Sequence, residues 1–247
     1  KLFAALAGFI CFVFCIESKA APSDSRPPNI LFLCVDDLAP ELSFYGNNFV
    51  KIPVLDQLAE RAHVFERAYC QVPVCGASRA SLLTGLLPTR ERFLRFDTRA
   101  DQDVPNVPTL PQWFKQNGYA TISNGKVFHN QADSAEESWS PKPWRPSISH
   151  AHFYDPESKK FQGGSRDRGP FYEAAEVDDN AYFDGLVAKK TVRDLEKLKG
   201  AKKPFFLACG FIRPHLPFYA PKKYWDLYDR EEIPLVPFRE RPENAPD

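Results

Sequence analysis

Asn29-Ile30-Leu31-Phe32-Leu33-Cys34-Val35-Asp36-Asp37-Leu38 is the stretch that decides the fold. Its middle is unbroken apolar sequence, and it stops at two adjacent carboxylates. A strand with one wet face alternates apolar and polar residues. A continuous run reads instead as a strand buried on both faces, as in a parallel sheet. Outward from there, Val54–Ala62 sets Leu55, Leu58, Ala59 and Ala62 at helical spacing behind Pro53. His63–Tyr69 alternates as a further strand would. Ser78–Leu83 reads as a short helix that begins at the Cys75 turn. Thr109–Asn117 places Leu110, Trp113 and Phe114 on one helical face, and Asn117-Gly118 ends it ahead of a strand over Tyr119–Ser123. Ala181–Leu198 is a helix with Phe183, Leu186, Val187, Leu195 and Leu198 on or near one face, and Pro204–Cys209 is another buried strand. Gln131–Gly169, rich in Pro, Ser, Gly, Trp and charge, reads as a long surface excursion of the kind that often forms binding sites. Strands alternating with helices give an α/β layered fold with a mainly parallel central sheet flanked by helices. Ligands in such folds gather beyond the carboxyl ends of the strands.

The 247 residues are 43% hydrophobic and 26% charged, with formal net charge zero. That is enough chain for a sizeable core. The balanced charge gives no whole-chain signature of nucleic-acid or anionic-membrane binding. Lys1, the apolar run Leu2–Ile16 and the small residues Ser18 and Ala20 have the three regions of a secretory signal peptide over 1–20, cut after Ala20. The run is short for a membrane span, so an uncleaved anchor is the lesser alternative. The chain starts with Lys and contains no Met, which reads as a clipped N-terminus. Ile233–Asp247 is Pro- and charge-rich and reads as a connecting segment, so a fragment open at both ends is expected, with 21–247 as the N-terminal part of a catalytic domain. The expected location is exported: periplasmic or extracellular, or lysosomal in a eukaryote, with no stable membrane association once the signal is removed. Cys11 and Cys15 would leave with it. Of the four remaining cysteines, Cys34 and Cys209 lie in apolar runs and read as buried thiols, and a Cys70–Cys75 disulfide is not expected.

Several short stretches carry candidate chemistry. Asp36 and Asp37, adjacent at a strand's end, suit a hard divalent cation, although an isolated Asp-Asp is more often an acidic turn. Val74-Cys75-Gly76-Ala77-Ser78-Arg79-Ala80-Ser81-Leu82-Leu83-Thr84-Gly85 sets a Cys, small residues and an Arg ahead of a helix; taken alone, it is a buried Cys in a helix-initiating turn. Gly118-Tyr119-Ala120-Thr121-Ile122-Ser123-Asn124-Gly125-Lys126-Val127-Phe128-His129 puts Lys126 and His129 just past a strand. Gly210-Phe211-Ile212-Arg213-Pro214-His215-Leu216-Pro217-Phe218 holds His215 between two prolines that restrict its backbone. His150 and His152 have no such frame and read as surface residues.

Together and in this order, these stretches resemble the type I sulfatases, and the Arg-Pro-His segment resembles the iduronate-2-sulfatase branch. The resemblance runs from Pro28 to about Pro237. It implies an alkaline-phosphatase-like fold, incomplete at the C-terminal end of this chain. It implies that a formylglycine-generating maturation enzyme oxidises Cys75 to formylglycine, an aldehyde that hydrates to a geminal diol. One hydroxyl of the diol attacks sulfur and expels the alcohol; the second then releases sulfate. By the same resemblance the catalytic residues are Cys75, Arg79, Lys126, His129 and His215. Asp36, Asp37 and the converted Cys75 would ligate Ca²⁺, with Mg²⁺ the lesser alternative. Arg79 and Lys126 would offset sulfuryl charge, His129 would deprotonate the diol, and His215 would protonate the leaving oxygen. Two positions depart from the family pattern. Asn124 stands where a small or aliphatic residue is usual. Ala77 stands where eukaryotic members carry Pro, and it is accepted by some bacterial maturation systems. The remaining metal ligands of the family come from further along than this chain extends. The expected substrate is a sulfated carbohydrate; the Trp139–Trp144 stretch, with Lys142 and Arg145 near it, is either a surface that stacks on a sugar and meets its anionic groups or a merely packed surface loop. Phosphate- or phosphonate-ester hydrolysis on the same fold, or a non-catalytic exported glycan-binding role, stay open on the sequence.

Overall fold

The computed structural model describes residues 27–161, 170–235, 240, 241 and 243. The expected signal peptide lies outside them, with Cys11 and Cys15. So do 162–169 of the expected excursion and most of the segment after 235.

In chain order the elements are β1 (Ile30–Val35), α1 (Pro53–Ala59), α2 (Cys75–Thr84), α3 (Ala100–Asp103), α4 (Leu110–Gln116) and β2 (Ala120–Gly125). There follow α5 (Ala135–Ser138), α6 (Pro156–Lys159), β3 (Tyr172–Glu173), α7 (Phe183–Leu198), β4 (Phe205–Phe211), β5 (Phe218–Tyr219) and α8 (Lys222–Trp225). The main sheet has the order β1-β4-β2, all parallel, and β3 pairs with β5 in a small second sheet. Ile30 pairs with Phe206 and Val35 with Phe211; Ala120 pairs with Phe205 and Gly125 with Gly210. This register brings the carboxyl ends of all three strands to one level, so Asp36, Lys126 and the loop after Phe211 share one edge of the sheet.

β4 is the central strand, and its continuous apolar sequence follows from that. Phe206 and Ala208 face a core built with Ala77, Ala80 and Leu83 of α2, Tyr119, Val127, Phe128 and Trp139. Phe206 stacks on Phe32 and Phe114, with ring centroids 5.8 and 4.9 Å apart. A buried phenylalanine of this kind contributes roughly 1.5–3 kcal/mol over an exposed one. On the opposite face Cys209 packs with Phe183 and Val187 of α7 and with Ile212. Helices therefore cover both faces of β4. α4 opens on a capping box in which Thr109 and Gln112 exchange side-chain-to-backbone hydrogen bonds.

Four expectations need correction. β1 is not buried on both faces: it is the outer strand, and Leu31, Leu33 and Val35 are 46, 51 and 40% exposed. These three point to the α7 side of the sheet, and α7 packs on β4 and β2. His63–Tyr69 is no strand; among the described residues none pairs with it in a ladder, and Phe65 and Tyr69 are exposed. The described part of Gln131–Gly169 is not merely a surface excursion. Asp133, Ser134, Ser138 and Trp139 are buried. Residues 140–144 run beside β2, with Ser140 N–H donating to the Thr121 carbonyl, Trp144 N–H to Ser123 and Gly125 N–H to Trp144. The backbone groups on the free edge of β2 demand such partners, and this segment supplies them. Trp113, expected on the apolar face of α4, is half exposed and edges against Phe114.

Candidate active site

Cys75 is the first residue of α2, and its Sγ lies 3.2 Å from His129 Nδ1. The small residues beside it have a steric reason. A Cβ on Gly76 would sit 1.9 Å from the Phe96 carbonyl oxygen. Ala77 is fully buried, and its N–H donates to the Arg95 carbonyl. The turn that carries Cys75 is thus pressed directly onto the backbone of residues 95–96. Burial, followed by the nearby Lys126 and Arg79 charges, holds His129 below its ordinary value, so its imidazole is neutral at pH 7 and suited to accept a proton.

Asp36 is buried and joined to two cations. Arg79 Nη2 donates to Oδ1 at 2.7 Å, and Lys126 Nζ bonds to Oδ2. Burial alone would raise the Asp36 carboxyl; Arg79 and Lys126 more than offset this and hold it below the usual carboxylate range. Arg79 also donates from Nη1 to the carbonyls of Lys126 and Val127, at 2.7 and 2.8 Å. It therefore clamps α2 to the ends of β1 and β2, while its Nε is buried without a partner among the described residues. Close backbone approach fixes the same corner. A Cβ on Gly210 would lie 2.0 Å from the Lys126 carbonyl oxygen, and Gly125, at φ 77°, passes as near to Gly210.

Asp37 also has a positive φ, 57°, and its side chain is exposed. His215 Nε2 stands 3.9 Å from Asp37 Oδ2, and His215 Nδ1 is 2.7 Å from the Leu216 carbonyl. If Nδ1–H donates to that carbonyl, the Nε2 side is the one turned to the cavity. The loop is held from behind. Asp184, in the first turn of α7, accepts from the N–H groups of Ile212 and Arg213. Arg213 lies over the Tyr219 ring at 4.1 Å and donates to the carbonyls of His215 and His150.

A cavity of about 550 Å³ joins Asp37, Cys75, Lys126, His129 and His215, with Phe96, Arg145, His150 and Ile212 also among its walls. Asp36 and Arg79 stand behind it and are not among its lining residues. The structure thus brings all seven expected residues to one corner, five of them on a single cavity. Arg145, expected to meet the anionic groups of a sugar, lines that cavity, and His150, exposed as expected, lines it too. Trp139 is buried against Phe206 and Phe128 and is not free to stack on a sugar. Asn124 faces away from the cavity. Its Nδ2 donates to Asp194 of α7 at 2.9 Å, and Lys190 pairs with the same carboxylate. The unusual residue at 124 is therefore matched by partners on the neighbouring helix.

The carboxylates of Asp36 and Asp37 are hard donors on one strand end, and the ionised state of Asp36 suits a cation. Two carboxylates fall short of the six to eight oxygens that Ca²⁺ takes. Among the described residues no group of three or more His, Cys, Asp or Glu side chains could hold a metal. Both oxygens of Asp36 already accept from Arg79 and Lys126, so the pair by itself makes no complete cation site. Cys34, Cys70, Cys75 and Cys209 are all free thiols. Cys209 is buried as expected; Cys34 is only partly buried, on the outer strand, and burial still pushes its thiol up to about 11. No helix among the described residues is long and apolar enough to cross a membrane.

Residues 28–235 match the Sulfatase family, and the chain belongs to it. It is 36% identical to iduronate 2-sulfatase of Homo sapiens over 96% of this chain and 44% of that protein. It is 34% identical to a sulfatase of Formosa agariphila over 93% of this chain and 48% of that protein. The chain thus spans about half the length of these relatives. Among solved structures, the phosphonate monoester hydrolase SpPMH of Silicibacter pomeroyi superposes with a TM-score of 0.62 at 22% identity, over 86% of this chain and 47% of that one. Ps i-CgsB in complex with k-i-k-neocarrahexaose gives 0.59 at 21%, over 82% and 48%. These likenesses bear out the alkaline-phosphatase-like α/β fold. Sulfatases generally use a formylglycine and a divalent cation.

Proposed function

We propose that this chain, residues 21–247 of it, is the N-terminal part of an exported sulfatase domain that hydrolyses sulfate esters of a carbohydrate, in the manner of iduronate 2-sulfatase. The observation that carries the proposal is the approach of Cys75 Sγ to within 3.2 Å of a neutral His129, at the carboxyl end of a parallel sheet, in a cavity that Lys126 and His215 also line. Relatedness to iduronate 2-sulfatases over nearly the whole chain supports the substrate class.

A maturation enzyme would convert Cys75 to formylglycine, whose diol supplies a nucleophile that can afterwards release sulfate. The thiol sulfur stands where the oxygens of that side chain would lie. His129, beside it and unprotonated, takes a proton from the attacking hydroxyl. Lys126 faces the sulfuryl oxygens, held in place by Asp36; Arg79 fixes Asp36 and the Lys126 carbonyl from behind. Preorganised positive charge of this kind supplies much of the stabilisation in such reactions. His215, its Nε2 side open to the cavity, delivers a proton to the departing sugar oxygen. Asp36, Asp37 and the converted Cys75 would hold one side of a divalent cation, which we assign as Ca²⁺ from their oxygen chemistry. Its other ligands would come from outside these residues. We place the protein outside the cytosol, on the reading of residues 1–20 as a signal peptide, with no nucleic-acid partner and no lasting attachment to a membrane.

The test is turnover by the full-length protein, co-expressed with a Cys-specific maturation system, on matched aryl sulfate, aryl phosphate and aryl phosphonate esters. Sulfate release lost in Cys75→Ser supports the proposal. Preference for the phosphorus esters would move the protein to the other hydrolases of this fold. Absence of all three activities, with Cys75 still a thiol in the native host, would make it a binding protein.

A further inference from the structure

Arg145, half-buried, is set apart from the two buried cations of this corner. Arg79 and Lys126 share the Asp36 carboxylate. Arg145 makes no ion pair among the described residues. Its guanidinium is braced only by carbonyls: Nε donates to Gly125 at 3.3 Å, and Nη2 to Phe128 and His129 at 2.7 and 3.1 Å. Nη1 has no acceptor among the described residues, and Arg145 lines the cavity. Burial, with Arg79 nearby, lowers its value to about 10, the mark of a cation short of counter-charge. A guanidinium cannot shed its proton at neutral pH, so the charge stays.

The rest of the cavity wall continues the imbalance. Lys126 faces it with Arg145, against Asp37 as the sole carboxylate among its described lining, and the rings of His129, His150 and His215 add hydrogen-bonding nitrogens rather than fixed charge. His150 is placed by its own carbonyl, which accepts from Arg213 at 2.7 Å and from the Tyr219 hydroxyl. Its ring therefore sits on an anchored backbone. A single sulfuryl group at Cys75 would occupy Lys126 and leave Arg145 and His150 unanswered. At about 550 Å³ the cavity is within the range of small-ligand sites and has room for one sugar ring with two charged substituents.

We infer that Arg145 and His150 form a second anion subsite, which takes an oxyanion group carried by the substrate on the same sugar as the scissile sulfate ester. This deepens the proposed sulfatase function and rests on it. The Nη1 left over can donate to one oxygen of a carboxylate or of a further sulfate alike.

The test separates the subsite from the reaction. The full-length protein with Cys75→Ala binds ligands without cleaving them. Its affinity is measured by calorimetry for three methyl glycosides: a monosulfated neutral hexoside, a 2-O-sulfated uronide and a disulfated hexoside. The parent should bind one or both dianionic ligands at least about tenfold more tightly than the monosulfated one, the gain expected of one charged hydrogen bond. The ligand that gains identifies the second group as carboxylate or sulfate. Arg145→Gln should shrink that preference to about twofold or less, and Arg145→Lys should restore part of it. Since Arg145→Gln also loosens the braces to 125–129, His150→Ala provides an independent arm; it keeps the anchored carbonyl, removes only the ring, and should lower the preference severalfold. No preference in the parent, no binding at all, or a preference that survives both Arg145→Gln and His150→Ala overturns the subsite. Aryl sulfate turnover by the protein with Cys75 intact is scored separately. Its absence would remove the sulfatase reading while leaving the binding result to stand or fall by itself.

Discussion

Replacing Asp36 with Asn isolates the charge balance on which the site is built. Asp36 is 4% exposed and accepts from both Arg79 and Lys126. Asn keeps the shape and one acceptor oxygen, so Arg79 retains a neutral hydrogen bond, while Lys126 loses its partner and both cations lose their counter-charge. Removing one member of a buried ion pair typically costs about 3–5 kcal/mol, because the remaining charge is left unpaired. With one hydrogen bond retained, about 3 kcal/mol is expected, at the low end of that range. At roughly 2–4 °C per kcal/mol for a domain of this size, Tm should fall by about 6–12 °C. The assay is thermal unfolding followed by circular dichroism with a chelator present, so that bound cations do not enter the comparison. The pH dependence supplies a second readout. The folded-state value of Asp36 lies below its ordinary 3.8, so its contribution is complete above that value and is lost as the pH falls through the folded one. The parent should therefore lose stability below about pH 5 more steeply than Asp36→Asn. A Tm change under about 2 °C, less than the expected energy allows, together with parallel acid limbs, would refute the reasoning.

Gly210→Ala places a methyl group 2.0 Å from the Lys126 carbonyl oxygen, a contact that only backbone movement can relieve. Overpacking of this kind costs about 1–3 kcal/mol, and the displaced Lys126 should reduce kcat more than it raises KM. Asn124→Ala should lower stability by about 1–2 kcal/mol through the lost hydrogen bond to Asp194, read by urea unfolding, while leaving KM unchanged, because the side chain faces α7 and not the cavity.

Much of this corner was legible in the sequence, and the reasons are local. β4 announced itself because a central strand between two helical layers must be apolar throughout. Cys75, Lys126, His129 and His215 sit at or just past element ends whose signals are short-range, a small-residue turn, a strand stop, a pair of prolines, and Arg79 follows one helical turn after Cys75. β1 was misread because its run of apolar residues is the same whether or not a layer covers its second face. His63–Tyr69 has the alternation of a strand but no partner, and pairing cannot be read from one segment alone. Trp139 and Arg145 belong to a stretch whose Pro, Ser and charge content resembles a surface loop. What composition does not reveal is that its backbone satisfies the open edge of β2, which carries Trp139 into the core and Arg145 to the cavity. His150 gave no signal in its own neighbourhood; the anchors on its carbonyl, Arg213 and Tyr219, come from more than sixty residues away. The role of Asp184 was hidden likewise, since an acid in a helix's first turn is ordinary, and its acceptors' partners lie in a distant loop.

The central claim is that catalysis depends on oxidised Cys75, and the most direct measurement is turnover against the converted fraction. Full-length protein expressed with graded amounts of the maturation enzyme gives samples that differ only in that fraction, read by mass spectrometry of the peptide spanning Cys75. Aryl sulfate hydrolysis per mole of protein should rise in proportion to the aldehyde fraction and extrapolate to zero when Cys75 is wholly thiol. Full turnover by the all-thiol protein, or a rate independent of conversion, would contradict the account.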